Sequence, residues 1–118
     1  MSVKVAFILF AGPEMPCKLQ HAILFARDLR RRGGESTVIL EGNAPKWLNA
    51  FHDGDHALTG FFAAAQQEGL IGGVCRGCAQ VHDAVDAAHA LGLDLLADAF
   101  GHVSLASFSE GGFQIVAL

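Results

Sequence analysis

The stretch VKVAFILFAG, Val3 to Gly12, decides the fold class of this chain. It is an almost continuous apolar run that ends at a glycine followed by Pro13. Such a run is typical of a strand buried on both faces of a parallel sheet, because layers of helices cover both sides of that sheet. From Pro16 to Arg32, apolar residues recur at helical spacing, and paired glycines follow. The chain therefore begins with a strand and then a helix.

The same alternation continues to the end of the chain. Further strands are predicted at STVILEG (36–42), LIGGV (70–74), LDLLADAF (93–100) and GFQIVAL (112–118). Residues 42–54 are predicted as a loop, and the helix after it stops near Gly69. A third helix is predicted from the CRGC motif to Gly92, and a short helix at 102–110. Residues 1–118 are therefore expected to form one domain, an α/β three-layer sandwich. Its central sheet is mainly parallel, has about five strands and carries helices on both faces.

Composition bears on the partners and the location of the protein. Apolar residues make up 52% of the chain and charged residues 17%, against a usual charged share of about 25%. We therefore expect uncovered apolar surface and a homo-oligomer. The formal charge of −4 implies no overall attraction to nucleic acid or to an anionic membrane. No run is long enough to span a bilayer, the opening segment lacks a convincing cleavage pattern, and the cysteine count is odd, so a cytoplasmic protein with reduced thiols is expected.

The candidate site lies where the strands end. In an open parallel sheet, the loops that leave the carboxyl ends of the strands form the usual ligand crevice. By this reasoning Cys17, Cys75 and Cys78 share one edge with the loop that runs from Trp47 to His56. Trp47 is expected to pack in the core or an interface and to wall the crevice. His52 and His56 flank an Asp-Gly-Asp turn, which could serve acid–base chemistry. This is the minority interpretation, because Asp53 and Asp55 are explained equally well as turn and helix-cap residues.

The motif GGVCRGCAQ, residues 72–80, carries the most chemistry. Cys75 stands where a strand gives way to a helix, beside Arg76, and such a place stabilises a thiolate. The small Gly73 and Gly77 leave room around its sulfur, so we expect this corner to expose a reactive thiol. Cys78 either takes part in the chemistry or packs inward as a small apolar residue.

Other uses of this motif fit the sequence less well. A thioredoxin-like dithiol centre needs a proline later in the chain, and all three prolines come earlier. A structural zinc site needs four ligands, and no second tight pair of ligands appears, although Cys17 with His21, or His82, could complete a set. The loop after the first strand lacks the glycines of a nucleotide cradle. The sequence therefore predicts no cofactor and assigns no metal ligand.

Two segments resemble a known family. CRGCA after the third strand, and GHVSLASFSEGGFQIVAL at residues 101–118, resemble the DsrE-like family of small cytoplasmic α/β proteins, which includes the sulfur-relay subunits of the DsrE, DsrF and TusD type. The resemblance implies that Cys75 accepts sulfane sulfur as a persulfide and passes it from a donor protein to an acceptor. It also implies a trimer or hexamer. Cys78 departs from the simplest relay pattern, because a neighbouring thiol can attack a persulfide and release sulfide.

Two other functions remain as hypotheses. One is a metal-binding or small-ligand-binding module that uses Cys17, Cys75 and Cys78. The other is an interaction subunit whose cysteines only pack. If the protein is active, the sequence favours a sulfurtransferase-like carrier.

Overall fold

The computed structural model describes residues 2–118 and contains one parallel sheet. The strand order is β4-β3-β2-β1-β5, and every neighbouring pair of strands is parallel. The strands are β1 (Lys4–Leu9), β2 (Glu35–Leu40), β3 (Ile71–Cys75), β4 (Leu95–Leu96) and β5 (Gln114–Ala117). The helices are α1 (Pro16–Arg31), α2 (Lys46–Asp53), α3 (Thr59–Gln67), α4 (Arg76–Val81), α5 (Val85–Ala90) and α6 (Leu105–Glu110). The predicted fold class, a parallel α/β sandwich of about five strands, is confirmed.

The two faces of the sheet are covered unequally. Side chains alternate along a strand, so Val5, Phe7 and Leu9 of β1 face one side and Ala6 and Ile8 face the other. The first set joins a large core that includes buried residues of α1 to α5. The second set joins a small cluster, completed by partly buried side chains from β5 and from the segment around α6. The third layer of the sandwich is therefore thin.

That thin layer leaves an open cavity of about 440 Å³ on the second face. Ile39, Leu96, Phe108 and Phe113 are among the residues that line it. Among residues 2–118, no helix is both long enough and apolar enough to cross a membrane.

The segment predicted as a loop at residues 42–54 contains helix α2, so that prediction is wrong. Trp47, Leu48 and Phe51 have the spacing of one helical face, and all three are buried. Pro45, which lies in the predicted loop, instead directly precedes the helix, and Gly54 ends it in the left-handed conformation.

The long third helix of the prediction is two short helices. The break falls between α4 and α5, where Asp83 has a positive φ of 51°. Val81, expected on the inner face, is 75% exposed because it ends α4 next to this break. The predicted fourth strand is also short, since only Leu95 and Leu96 pair with β3. The residues after it form a loop that returns to the start of α4, where the Gly77 backbone N–H donates to the Gly101 carbonyl.

Candidate functional site

Four side chains meet at the carboxyl edge of the sheet: Glu41, Cys75, Cys78 and His102. One sulfur, nitrogen or oxygen atom from each lies within 4.8 Å of the corresponding atoms of the other three. All three cysteines of the chain are free thiols, and Cys17 lies outside this group. The predicted pair, Cys75 and Cys78, is therefore part of a mixed cluster with a carboxylate and an imidazole.

Strand pairing and the start of α4 bring three of the four residues together. Leu40 of β2 is in register with Val74 of β3, so the residues that follow them, Glu41 and Cys75, leave the sheet side by side. Cys75 is the last residue of β3 and directly precedes α4. Residues three apart lie on the same side of a helix start, which places Cys78 over Cys75.

The fourth residue, His102, arrives on a tight turn. Ala99 and His102 exchange two backbone hydrogen bonds, of 2.9 and 2.8 Å. The two residues between them, Phe100 and Gly101, have φ values of 56° and 81°. Positive φ at both central positions is the geometry of a type I′ turn, which glycine and asparagine adopt readily and phenylalanine does not. The Phe100 side chain is fully exposed at the tip of this turn.

Gly77 anchors this turn against α4. Its backbone N–H donates to the Gly101 carbonyl at 3.0 Å. A Cβ atom at position 77 would lie 2.7 Å from Nε2 and 2.8 Å from Nδ1 of the His102 ring. Only glycine at position 77 therefore lets the imidazole lie this close to the start of α4 and reach Cys75.

The contacts within the cluster pair each thiol with a different group. Cys75 Sγ lies 3.1 Å from His102 Nδ1. Cys78 Sγ donates to Glu41 Oε1 at 2.8 Å, and it lies 3.8 Å from His102 Nδ1. A thiol beside an imidazole can pass its proton to the ring and become a nucleophile. A thiol that donates to a carboxylate is held in its protonated form.

The surroundings of Cys78 keep this thiol protonated. Burial, followed by the hydrogen bonds to Glu41 and Cys75, raises the pKa of Cys78 from 9.0 to about 12. The negative charge of Glu41 acts in the same direction, and a backbone hydrogen bond at Gly42 opposes it. At neutral pH Cys78 is therefore a thiol rather than a thiolate.

The expectation that this corner exposes Cys75 is wrong. Cys75 is completely buried, whereas Cys78 is half-buried and His102 is exposed. The glycine at position 73 does not open a path, because a Cβ there would lie 2.8 Å from the Leu96 side chain. His102 covers the sulfur because it lies over Gly77, the residue whose small size was expected to leave the thiol open.

The other predicted site residues lie apart from the four-residue cluster. Trp47 is buried and its Nε1 donates to the Ala11 carbonyl at 3.0 Å, so it belongs to the core and does not wall a crevice. His52 is exposed on α2, and Cys17 is exposed at the start of α1. Arg76 is exposed, with Nη2 3.7 Å from a Cβ built at Gly101, so its guanidinium lies beside the turn.

His56, the other histidine of the Asp-Gly-Asp segment, is a structural residue. Its ring packs edge-on against Trp47 and Phe51, with centroids 5.0 and 5.9 Å away. Its Nδ1 accepts a hydrogen bond from the Leu58 backbone N–H at 3.0 Å. These contacts place it in the packing of α2 against α3.

The sequence alone did not identify the Glu41 carboxylate or the His102 imidazole as members of the site. Glu41 lies at the end of the predicted second strand, and His102 begins the predicted short helix. Both signals were present: Glu41 directly follows a buried strand, and His102 follows a glycine in a loop at the same edge. Their meeting depends on strand order and on the path of the last loop, which the motif spacing does not encode.

Comparisons with known proteins place the chain in a family. It is 34% identical over 121 aligned positions to Uncharacterized protein MJ0733 of Methanocaldococcus jannaschii, and the match covers 98% of this chain and 96% of that protein. The chain belongs to the same family as MJ0733. No protein-family model matches the chain. No solved structure matches it either. The function is therefore argued from the site.

Proposed function

We propose that this protein is a cytoplasmic, DsrE-like sulfur carrier in which Cys75 accepts sulfane sulfur as a persulfide. The observation that carries the proposal is the 3.1 Å contact between Cys75 Sγ and His102 Nδ1. The imidazole removes the thiol proton and orients the sulfur, which is the arrangement of an activated cysteine. The family resemblance of the segments around both residues supports the same role.

The loading step exchanges one sulfur–sulfur bond for another. The Cys75 thiolate attacks the outer sulfur of a donor persulfide, R–S–SH. The donor's S–S bond breaks, R–S⁻ leaves and takes up a proton, and Cys75 carries the new S–SH group. His102 holds the proton released from the Cys75 thiol and can return it to the departing thiolate.

Cys78 supplies a second step that discharges the sulfur. Once deprotonated, its thiolate attacks the inner sulfur of the Cys75 persulfide. A Cys75–Cys78 disulfide forms and HS⁻ leaves. The 2.8 Å hydrogen bond to Glu41 keeps Cys78 protonated, so it delays this discharge and extends the lifetime of the persulfide.

Access to Cys75 depends on the turn that carries His102. Cys75 is completely buried, whereas His102 and Phe100 of this turn are exposed. Outward movement of the turn, which requires the Gly77–Gly101 hydrogen bond to break, would uncover the sulfur. The exposed Phe100 ring is in the right place for a donor or acceptor protein to contact as it moves the turn.

Mass spectrometry after incubation with a small persulfide donor tests the proposal. We expect a gain of one sulfur, located on the peptide that contains Cys75, in the wild type and in Cys17→Ser. Cys75→Ser should gain none at this peptide, and Cys78→Ser should hold the sulfur longer than the wild type.

Two outcomes contradict the proposal. Equal loading of the wild type and Cys75→Ser places the sulfur elsewhere. Absence of loading, together with slow alkylation of Cys75 at neutral pH, favours an interaction subunit whose cysteines only pack.

We also propose that the chain forms a homo-oligomer, a trimer or a hexamer. The thin layer over the second sheet face, with its open apolar cavity, supports this. Further support comes from exposed rings such as Phe10 and Phe25, which are 46% and 47% exposed. Light scattering at micromolar concentration tests the proposal, and a purely monomeric mass refutes it.

A further inference from the structure

We propose that Glu41, Cys75, Cys78 and His102 form a binding site for one Zn²⁺ ion. The zinc site is inferred without the proposed sulfur chemistry, although both use the same two thiols. It was not predicted from the sequence because only two of its four ligands are close together in the chain.

The donor set suits zinc. Two cysteine sulfurs, one imidazole nitrogen and one carboxylate oxygen make four ligands, the number that zinc takes in its tetrahedral sites. Soft thiolates with an imidazole exclude magnesium and calcium, which prefer oxygen ligands alone. The spacing of Cys75 and Cys78, with two residues between them, is the spacing of the paired cysteines in many zinc sites.

The distances are close to those of a tetrahedral site. Zinc–sulfur bonds of about 2.3 Å and bonds of about 2.0–2.2 Å to nitrogen and oxygen put ligand atoms about 3.6 Å apart for S–N and S–O pairs. Cys78 Sγ and His102 Nδ1 are 3.8 Å apart, close to this value. Cys75 Sγ and the same nitrogen are 3.1 Å apart and must separate by about 0.5 Å. Cys78 Sγ and Glu41 Oε1 are 2.8 Å apart and must separate by about 0.8 Å, a side-chain adjustment.

The backbone holds the four ligands before the ion arrives. Glu41 and Cys75 leave adjacent paired strands, and Cys78 is one helical turn beyond Cys75. The turn that carries His102 is tied to α4 by the Gly77–Gly101 hydrogen bond. Sites whose ligands are positioned by rigid elements lose less entropy on binding.

Charge also favours a cation at this place. Zinc binding displaces the thiol protons, so the loaded site holds two thiolates and one carboxylate, and Zn²⁺ reduces their three negative charges to one. The cluster itself contains no lysine or arginine side chain. The guanidinium of Arg76 lies beside the Gly101 turn that precedes His102.

Zinc binding and sulfur loading compete, because both need the Cys75 thiolate. Zinc-loaded protein is therefore expected to accept sulfur from a persulfide donor more slowly than metal-free protein. This makes the cluster a sulfur carrier only when the ion is absent or displaced.

The test is a zinc titration of reduced, metal-free protein against a chromophoric chelator. We expect one Zn²⁺ per chain for the wild type and for Cys17→Ser, the control that removes the cysteine outside the cluster. His102→Ala and Glu41→Gln each remove one ligand from an exposed or half-buried position, so they should fold. Each should weaken zinc binding at least about 10-fold to 100-fold, the loss seen even for groups that only support a ligand.

Cobalt(II) reports the coordination directly. The wild type should show thiolate-to-cobalt charge transfer in the near ultraviolet and the intense visible bands of tetrahedral cobalt. Cys78→Ser should lose part of the charge transfer, and Cys17→Ser should lose none.

The zinc site is refuted if the wild type does not bind zinc, or if His102→Ala and Glu41→Gln both bind it as tightly as the wild type. Loss of binding in Cys17→Ser also refutes it. These outcomes leave the persulfide test untouched. Zinc binding without any sulfur loading would instead refute the proposed function alone.

Discussion

The substitution Gly77→Ala tests the geometry of the site with little expected change in the stability of the fold. Position 77 is the second residue of α4, where alanine is favoured over glycine by about 0.5–1 kcal/mol. The new methyl group would lie 2.8 Å from His102 Nδ1, where about 3.5 Å is the closest comfortable approach. Cε1 of the ring would be closer still, so the imidazole must move by more than about 0.7 Å, and its 3.1 Å contact with Cys75 is disturbed.

This movement should weaken the site without unfolding the protein. We expect zinc affinity to fall about 10-fold to 100-fold, or about 1.4 to 2.7 kcal/mol, as when a ligand loses its correct orientation. The rate of sulfur loading on Cys75 should fall by a similar factor, because the proton acceptor is displaced. The free energy of unfolding should stay within about 1 kcal/mol of the wild type, since His102 is exposed and can move.

The matched control is Gly60→Ala. Gly60 is the second residue of α3, and a Cβ there would meet no atom within 4 Å. This variant should raise the free energy of unfolding by about 0.5–1 kcal/mol and leave zinc affinity and sulfur loading unchanged. Chelator competition, mass spectrometry and urea denaturation measure the three quantities. If Gly77→Ala binds zinc and loads sulfur as Gly60→Ala does, His102 has no role in the site.

Three further substitutions test the ionisation, the turn and the core. Glu41→Gln removes the carboxylate that helps to raise the pKa of Cys78 to about 12, so the pKa should fall and alkylation of Cys78 at pH 8 should become faster; an unchanged rate, measured by peptide mass spectrometry, contradicts this. Phe100→Asn places Asn-Gly at the type I′ turn and removes a fully exposed ring from a backbone with φ of 56°. The free energy of unfolding should therefore rise by about 1 kcal/mol in urea denaturation, whereas a decrease would mean that the ring contributes contacts. Trp47→Phe deletes a completely buried indole N–H that donates to a backbone carbonyl, so unfolding should become easier by about 2 to 3 kcal/mol; a loss below about 0.5 kcal/mol in the same assay would contradict this account of the core.

The apolar pattern of the sequence was sufficient to predict the layers of the fold. The run from Val3 to Phe10 indicated a buried parallel strand, and the structure has β1 at Lys4–Leu9 as an interior strand between β2 and β5. Helical spacing likewise located α1 within one residue of its end. These predictions succeed because burial on both faces or on one face is encoded in consecutive side chains.

Where local signals conflicted, the prediction failed. The segment from Gly42 to Gly54, which holds Pro45, was predicted as a loop, yet the burial of Trp47, Leu48 and Phe51 favours helix α2. The third helix was predicted as one element because its apolar spacing continues past Val81. The structure breaks it at Asp83, whose positive φ no periodicity reveals.

The features of the site also fall into those that the local sequence determines and those that tertiary contacts determine. The sequence by itself determined that Cys75 ends a strand and that Cys78 follows one helical turn later, because both positions depend on neighbouring residues alone. Only the tertiary structure decided which groups face these thiols. Glu41 meets Cys78 because β2 and β3 are neighbours in register, and His102 covers Cys75 because the loop after β4 returns across Gly77. Contacts between residues 24 to 37 positions apart result from strand order and chain path, and a motif of a few residues does not encode them.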